Sequence, residues 1–240
     1  DQAVTSVAQA LRYTPGVFTE YRGSSNLHDE MYMRGFGYVP RFLDGLSFGW
    51  SSFGQLDPWL LERVEAVKGP SSVMYGQSSP GGIINMVSKR PNGITANQVG
   101  LSFGNLNRVE ARFDFQGVVP ENDDLAWRFV GMGFKADTQE KGLTEQRYAF
   151  SPSLRWTPNE DVELTVSAIF QNEPDAGFRN FRDAEGTLYP TPQGDIIPWD
   201  FLVSDPNFDI STRNTNSIAA DLRYSLGATT TLHVGARYTD

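Results

Sequence analysis

The sequence predicts a small, glycine-rich mixed α/β domain followed by strands of an antiparallel, transmembrane β-barrel. Three observations carry this prediction. Residues 1–96 change their apolar period every few positions and are punctuated by Gly and Pro, whereas residues 97–240 alternate apolar and polar with period two over long runs. Those runs extend over roughly 9 to 13 residues, against about 5 to 6 for an average strand, which is the length needed to cross a bilayer at a tilt. Their polar faces carry Arg, Glu, Asp, Ser and Gln, as a water-filled or plugged lumen requires.

In the first part, Thr5 or Ser6 can cap a short helix bearing Val7, Ala8 and Leu11, and Pro15-Gly16 stops it. Met31 and Met33, then Leu43 and Leu46, sit in short extended stretches bounded by Gly35, Gly37, Pro40 and Gly45. After Pro58 the residues Trp59 to Arg63 are expected to make one or two helical turns, and Val64 to Val67 a strand ending at Gly69-Pro70. Ser71 to Tyr75 reads as another short helical turn ended by Gly76, and Ile83 to Val87 as a buried strand.

In the second part, Val109, Ala111, Phe113, Phe115, Gly117 and Val119 share one face, with Arg108, Glu110, Arg112, Asp114 and Gln116 on the other. The same pattern recurs around Tyr148–Trp156, Val162–Phe170, Ile218–Tyr224 and Leu232–Tyr238; Val99–Phe103 and Leu125–Phe134 complete seven strands, Arg128 blurring the last. The links at Asn105-Leu106-Asn107, Pro120 to Asp124, Pro158-Asn159-Glu160 and Gly227-Ala228 are short. About forty residues separate Phe170 from Thr212, so 173–211 reads as an extracellular loop.

A soluble sandwich also alternates, and only strand length and the charged faces argue against it here. Seven strands cannot close the usual even-numbered barrel, and a lumen enclosing residues 1–96 calls for something like the 22-stranded plugged transporters. The chain is therefore expected to be an incomplete piece, opening at Asp1 inside a structured segment. Alone it would expose an apolar face and two open edges.

Composition excludes several functions. With 29 acidic and 20 basic residues the net charge is −9, which opposes binding to a phosphate backbone, so no nucleic-acid partner is expected. There is no Cys, and His28 and His233, the only histidines, lie in different halves, so no metal site is expected. Ser71, Ser72, Ser78 and Ser79 lack a nucleophile elbow, and Gly76 to Gly82 lacks the Lys-Ser/Thr ending of a phosphate loop. No enzymatic activity is expected.

The run from Leu60 to Pro91 is the most specific stretch. It includes Glu62-Arg63-Val64-Glu65, Lys68-Gly69-Pro70-Ser71-Ser72-Val73-Met74-Tyr75-Gly76 and Ser79-Pro80-Gly81-Gly82-Ile83-Ile84-Asn85-Met86-Val87-Ser88-Lys89-Arg90-Pro91. It resembles the plug-domain signature of TonB-dependent receptors. With Arg34-Gly35-Phe36, Asp44-Gly45-Leu46, Leu56-Asp57-Pro58 and Gln171-Asn172-Glu173-Pro174, it is most similar to the siderophore receptors of the hydroxamate, ferrichrome-type branch.

The resemblance implies a plug (1–96) inside the first strands of an outer-membrane barrel (97–240), in a Gram-negative bacterium. It implies uptake of a ferric siderophore, driven by the proton-motive force through TonB with ExbB–ExbD, with lipid and lipopolysaccharide around the barrel. No cofactor is implied, since the iron arrives chelated. By the same resemblance, Arg22 in Tyr21-Arg22-Gly23, Tyr38, Trp50, Phe53, Phe178 and Phe181 are candidate ligand contacts, and Arg34, Arg63 and Glu65 candidate plug–barrel charge contacts. A guanidinium offers hydroxamate oxygens a fixed fork of donors, and aromatic rings suit an amphipathic chelate; packing against the lumen is the alternative role for each aromatic.

The sequence departs from the ferrichrome pattern in two places. Gly177-Phe178-Arg179-Asn180-Phe181 stands where those receptors carry a Tyr- and Trp-containing segment, and the loop after Phe36 is shorter. Receptors for cobalamin or an oligosaccharide therefore stay open as alternatives, as does a soluble β-rich binding module.

Overall fold

The computed structural model describes residues 4–19, 21, 27–48, 54–71, 75, 76, 78–177, 180–205 and 207–240. Ser6 caps a single-turn helix, α1 (Val7–Ala10), its hydroxyl accepting from the Gln9 amide at 3.2 Å. Strands β1 (Val17–Phe18) and β2 (Tyr32–Met33) pair antiparallel. A second small sheet is built from β3 (Arg41–Leu43), β4 (Leu46–Ser47), β5 (Leu61–Lys68) and β6 (Gly82–Ser88) in the order β4-β3-β6-β5. Asp44 and Gly45 join β3 to β4 with φ of 54° and 83°, the positive values that a two-residue hairpin turn needs.

One expectation is corrected here. Helical geometry after Pro58 is confined to the 3-10 turn Pro58–Leu60, and the strand begins at Leu61 rather than Val64. Asp57 caps that turn by accepting from the Trp59 amide at 2.9 Å, but Leu61 already pairs with Ser88, so the ladder with β6 claims the backbone that a longer helix would use. Of the expected turn at Ser71 to Tyr75, residues 72–74 lie outside the described residues; the Tyr75 amide donates to the Ser71 carbonyl at 3.0 Å.

Seven strands form one antiparallel sheet in sequence order: β7 (Ala96–Phe103), β8 (Val109–Val119), β9 (Asn122–Asp137), β10 (Thr144–Asn159), β11 (Val162–Ala176), β12 (Arg213–Ser225) and β13 (Thr231–Thr239). Several outrun their apolar pattern because polar residues at their ends continue the ladder: Glu145 pairs with Ala136, and Glu173 with Arg213. The links 104–108, 138–143 and 177–212 lie at one end of the sheet and 120–121, 160–161 and 226–230 at the other. The short Asn105–Asn107 turn therefore shares its end with the long loop.

The sheet's polarity is inverted relative to a water-soluble protein. Tyr148, Phe150, Leu154, Trp156, Val166, Phe170 and Ile218 are exposed on the outer face, while Arg147, Ser151, Ser153, Thr165, Ser167, Gln171, Glu173 and Ser217 are buried on the inner one. The inner face packs on the small domain, hereafter the plug. β9 blurs the alternation because Val130, Met132 and Phe134 point inward and join the plug's own Val7, Leu43, Ile84 and Met86 in one buried cluster. Inner charges meet plug charges: Arg147–Asp57 at 3.0 Å, Arg237–Asp44 at 2.8 Å, Lys89–Asp114 at 2.9 Å, Arg128–Glu62 at 3.2 Å and Arg90–Asp221 at 3.6 Å.

Arg147 is the most connected of these. Its guanidinium also reaches Glu173 at 2.7 Å, Gln55 Oε1 at 2.9 Å and the Thr5 carbonyl at 3.4 Å, while Gln171 accepts from the Asp57 amide at 3.0 Å and donates to the Gln55 carbonyl at 2.7 Å. Breaking a buried pair by removing one partner costs about 3–5 kcal/mol. Arg147→Ala is therefore expected to lower the melting temperature of the full-length protein by several degrees and to open residues 54–58 to protease; an unchanged melt and digestion pattern would contradict this seating role.

Gly82 supplies a second test. Its φ is +134°, and a Cβ there would stand 2.1 Å from the Val67 carbonyl oxygen. Gly82→Ala should strain the β5–β6 pairing by on the order of 1–3 kcal/mol. Amides 83–88 would then exchange hydrogen faster while β9–β11 keep their protection; equal protection in both proteins would refute it.

Candidate ligand-binding face and its supports

Local sequence places an aromatic group on the plug surface. β1 and β2 hold Phe18 beside Tyr32, and Tyr21 and Tyr38 close around Tyr32 with ring centroids 5.3 and 5.7 Å from it; Phe18 lies 6.2 Å away. Phe18, Tyr21 and Tyr38 are exposed, and Tyr38 holds the left-handed φ of 53°. Burial of its hydroxyl first, and a hydrogen bond with Tyr38 second, push the Tyr32 phenol above its ordinary pKa. The group offers aromatic rings and phenolic hydroxyls.

The plug also contains a fully buried ion pair. Arg41 and Asp29 are fully buried and 3.3 Å apart; Asp29 also accepts from the Ala8 amide at 3.1 Å, and Arg41 donates to the Gly54 carbonyl at 2.9 Å. Burial raises the Asp29 pKa and the nearby guanidinium opposes the rise, while burial lowers that of Arg41. The pair ties α1, residue 29 and residue 54 together. Arg213 extends the tie to the wall, donating to the Leu27 carbonyl at 3.3 Å and to Glu173 at 2.9 Å.

The long loop carries exposed Phe181, Tyr189, Trp199, Phe201 and Phe208. It is folded on itself: Arg182 donates to the carbonyls of Pro198, Trp199 and Phe201, and Asn180 bridges Phe201 and Val203. Lys141, in the neighbouring 138–143 link, reaches Asp200 at 2.6 Å and holds that carboxyl below its ordinary pKa.

Of the ligand candidates, Tyr38 and Phe181 are described, on the plug and in the long loop respectively; Arg22, Trp50, Phe53 and Phe178 lie outside the described residues. Among the proposed charge contacts, Arg63 and Glu65 meet each other at 2.6 Å, with Asn85 donating to Glu65 at 3.0 Å. Arg34 is exposed beside Gly69. The contacts to the seven described wall strands run through Asp44, Asp57, Glu62, Lys89 and Arg90. Sequence reasoning missed these because an acid in a loop gives no sign of which strand it will face, although inward Arg128, Arg147 and Arg237 were legible as charges on strands. Among the described residues no three metal-ligating side chains converge, and no helix is long and apolar enough to cross a membrane.

Residues 1–83 match the family model described as TonB-dependent Receptor Plug Domain. The chain is 36% identical over 241 residues to the ferrichrome outer membrane transporter/phage receptor of Escherichia coli (strain K12), an alignment covering 98% of this chain and 32% of that protein. It is 39% identical over 220 residues to the ferrioxamine receptor of Yersinia enterocolitica, covering 89% and 30%. The chain thus spans about a third of the length of the curated relatives it matches. Among solved structures, the pyoverdine outer membrane receptor FpvA from Pseudomonas aeruginosa PAO1 superimposes with a TM-score of 0.82 at 20% identity, over 98% of this chain and 34% of that one. The closed form of the ferric-catecholate import receptor Fiu from K12 E. coli superimposes with a TM-score of 0.78 at 24% identity, over 100% and 35%. These two likenesses concern the fold: a plug packed on the polar inner face of an antiparallel sheet. With the plug model matched at its start and receptor sequences aligned along nearly all of it, the chain belongs to the TonB-dependent receptors.

Proposed function

We propose that the protein to which this chain belongs is an outer-membrane receptor of a Gram-negative bacterium that takes up a ferric siderophore of the hydroxamate class. The observation that carries the reading is the inverted sheet closed over a charge-matched plug, an arrangement suited to a lipid-facing wall and a gated lumen. The choice of ligand is supported by the relatives, which are named as ferrichrome and ferrioxamine receptors.

Uptake against a gradient needs an energy source. In this reading TonB, with ExbB–ExbD, supplies proton-motive force by acting on the receptor's plug, while lipid and lipopolysaccharide contact the apolar outer face. The chelate binds between the plug and the long loop, where Arg22 supplies a guanidinium and Tyr38, Trp50, Phe53, Phe178 and Phe181 supply rings. The exposed aromatic group around Tyr32 supports an amphipathic ligand at that surface.

The test is titration of the purified full-length receptor in detergent with ferric hydroxamates, ferric catecholates and cobalamin, read by Trp fluorescence. Saturable submicromolar quenching by a ferric hydroxamate is the expected result; a response confined to cobalamin or a sugar would leave the fold and remove the substrate. Arg22→Ala should weaken hydroxamate binding roughly tenfold or more, the worth of a hydrogen bond from a charged group, without blocking barrel assembly. Unchanged affinity would take Arg22 out of the site.

A further inference from the structure

At the long-loop end of the sheet, the 104–108 and 138–143 links and the plug residue Leu27 enclose a recess of about 330 Å3, lined among others by Leu27, Leu106, Arg108, Leu143 and Glu145. Glu145 is partly buried. It shares the inward face of β10 with Arg147, and its Oε1 lies 2.9 Å from where a Cβ on Gly177 would stand. Leu27 closes the same corner, its Cδ2 3.4 Å from that point.

Most ionic groups around this corner are matched, Glu140 on the recess wall being a second carboxylate with no ion pair among the described residues. Arg108 reaches Glu110 at 2.6 Å, Asn107 donates to Asp137 at 2.6 Å, Arg147 is held by Asp57 and Glu173, and Arg213 by Glu173. Lys141 is turned to Asp200. The Glu145 carboxylate has no hydrogen bond and no ion pair among the described residues, although a second, smaller polar cleft between Arg147, Asp175 and Arg213 also opens onto it. Enclosing a carboxylate without a partner is unfavourable, so this site gains most from a cation that arrives from outside.

We propose that Glu145 is the counter-ion for a protonated amine carried by the transported chelate, and that the recess is the subsite for the alkyl arm bearing that amine. An ammonium brings donors that a carboxylate can accept, and Leu27, Leu106 and Leu143 provide an apolar sleeve for the methylenes. A bare metal ion fits less well, since no three ligating side chains converge among the described residues. Along the chain the recess borders the segments proposed to contact the ligand: Gly177 precedes Phe178, and Leu27 follows the segment that carries Arg22.

The inference rests on the siderophore reading above, and the experiment separates the two. The full-length receptor is titrated with a ferric trihydroxamate bearing a free terminal ammonium and with its N-acetylated, neutral counterpart. Wild type is expected to prefer the amine about tenfold or more. Glu145→Gln, nearly isosteric, is expected to abolish that preference while leaving affinity for the neutral chelate unchanged, which also reports that the variant is folded. Equal wild-type affinity for the two chelates, or a variant that weakens both alike, overturns the subsite and leaves the siderophore reading standing. Failure of wild type to bind either chelate removes the siderophore reading and the subsite with it.

Discussion

Along β8 to β12, apart from a few inward apolar residues such as Val130, Met132, Phe134 and Ile169, the side chains that avoid water point away from the plug and those that seek it point inward. A sheet built this way is stable only with hydrocarbon on one side and matched polar partners on the other. The inner charges in turn need counter-charges, because an unpaired buried ion is worth more in lost stability than a paired one contributes. That requirement gives Asp44, Asp57 and Glu62 their positions on the plug and gives Lys89 and Arg90 their direction as the chain leaves it.

The same constraint shapes the candidate site. Arg147, Glu173 and Arg213 hold residues 5, 27 and 55–57 at the end of the sheet from which the long loop rises, and the Arg41–Asp29 pair joins 8, 29 and 54 within the plug. These plug segments are thus fixed through charge, while the described part of the long loop is held by main-chain carbonyl contacts to Arg182 and by an ion pair to Lys141.

Much of this was legible in the residues. Period-two alternation located all seven strands, and the Asp44-Gly45 and Pro15-Gly16 punctuation marked real turns. Leu125–Phe134 looked ambiguous because Arg128 interrupts an otherwise apolar run; its inner face mixes that paired arginine with Val130, Met132 and Phe134, which join the plug's core. Trp59 to Arg63 suggested a helix because the alternative depended on Ser88, far along the chain. The pairing of Arg63 with Glu65 was equally out of reach: residues two apart on a strand share a face, but nothing local says whether they turn to each other or to a wall. Long-range partners, rather than element types, were what the sequence withheld.

Val130, Met132, Phe134 and Ile169 of the wall sit in the same buried cluster as Val7, Met31, Leu43 and Met86 of the plug. Neither part therefore closes its hydrophobic core alone, and each completed side chain of this kind stabilises by roughly 1.5–3 kcal/mol. Each part thus covers apolar surface that the other would leave open. A plug synthesised without its barrel would lack the surface that ends its collapse, and a barrel without its plug would be left with a greasy stripe facing water.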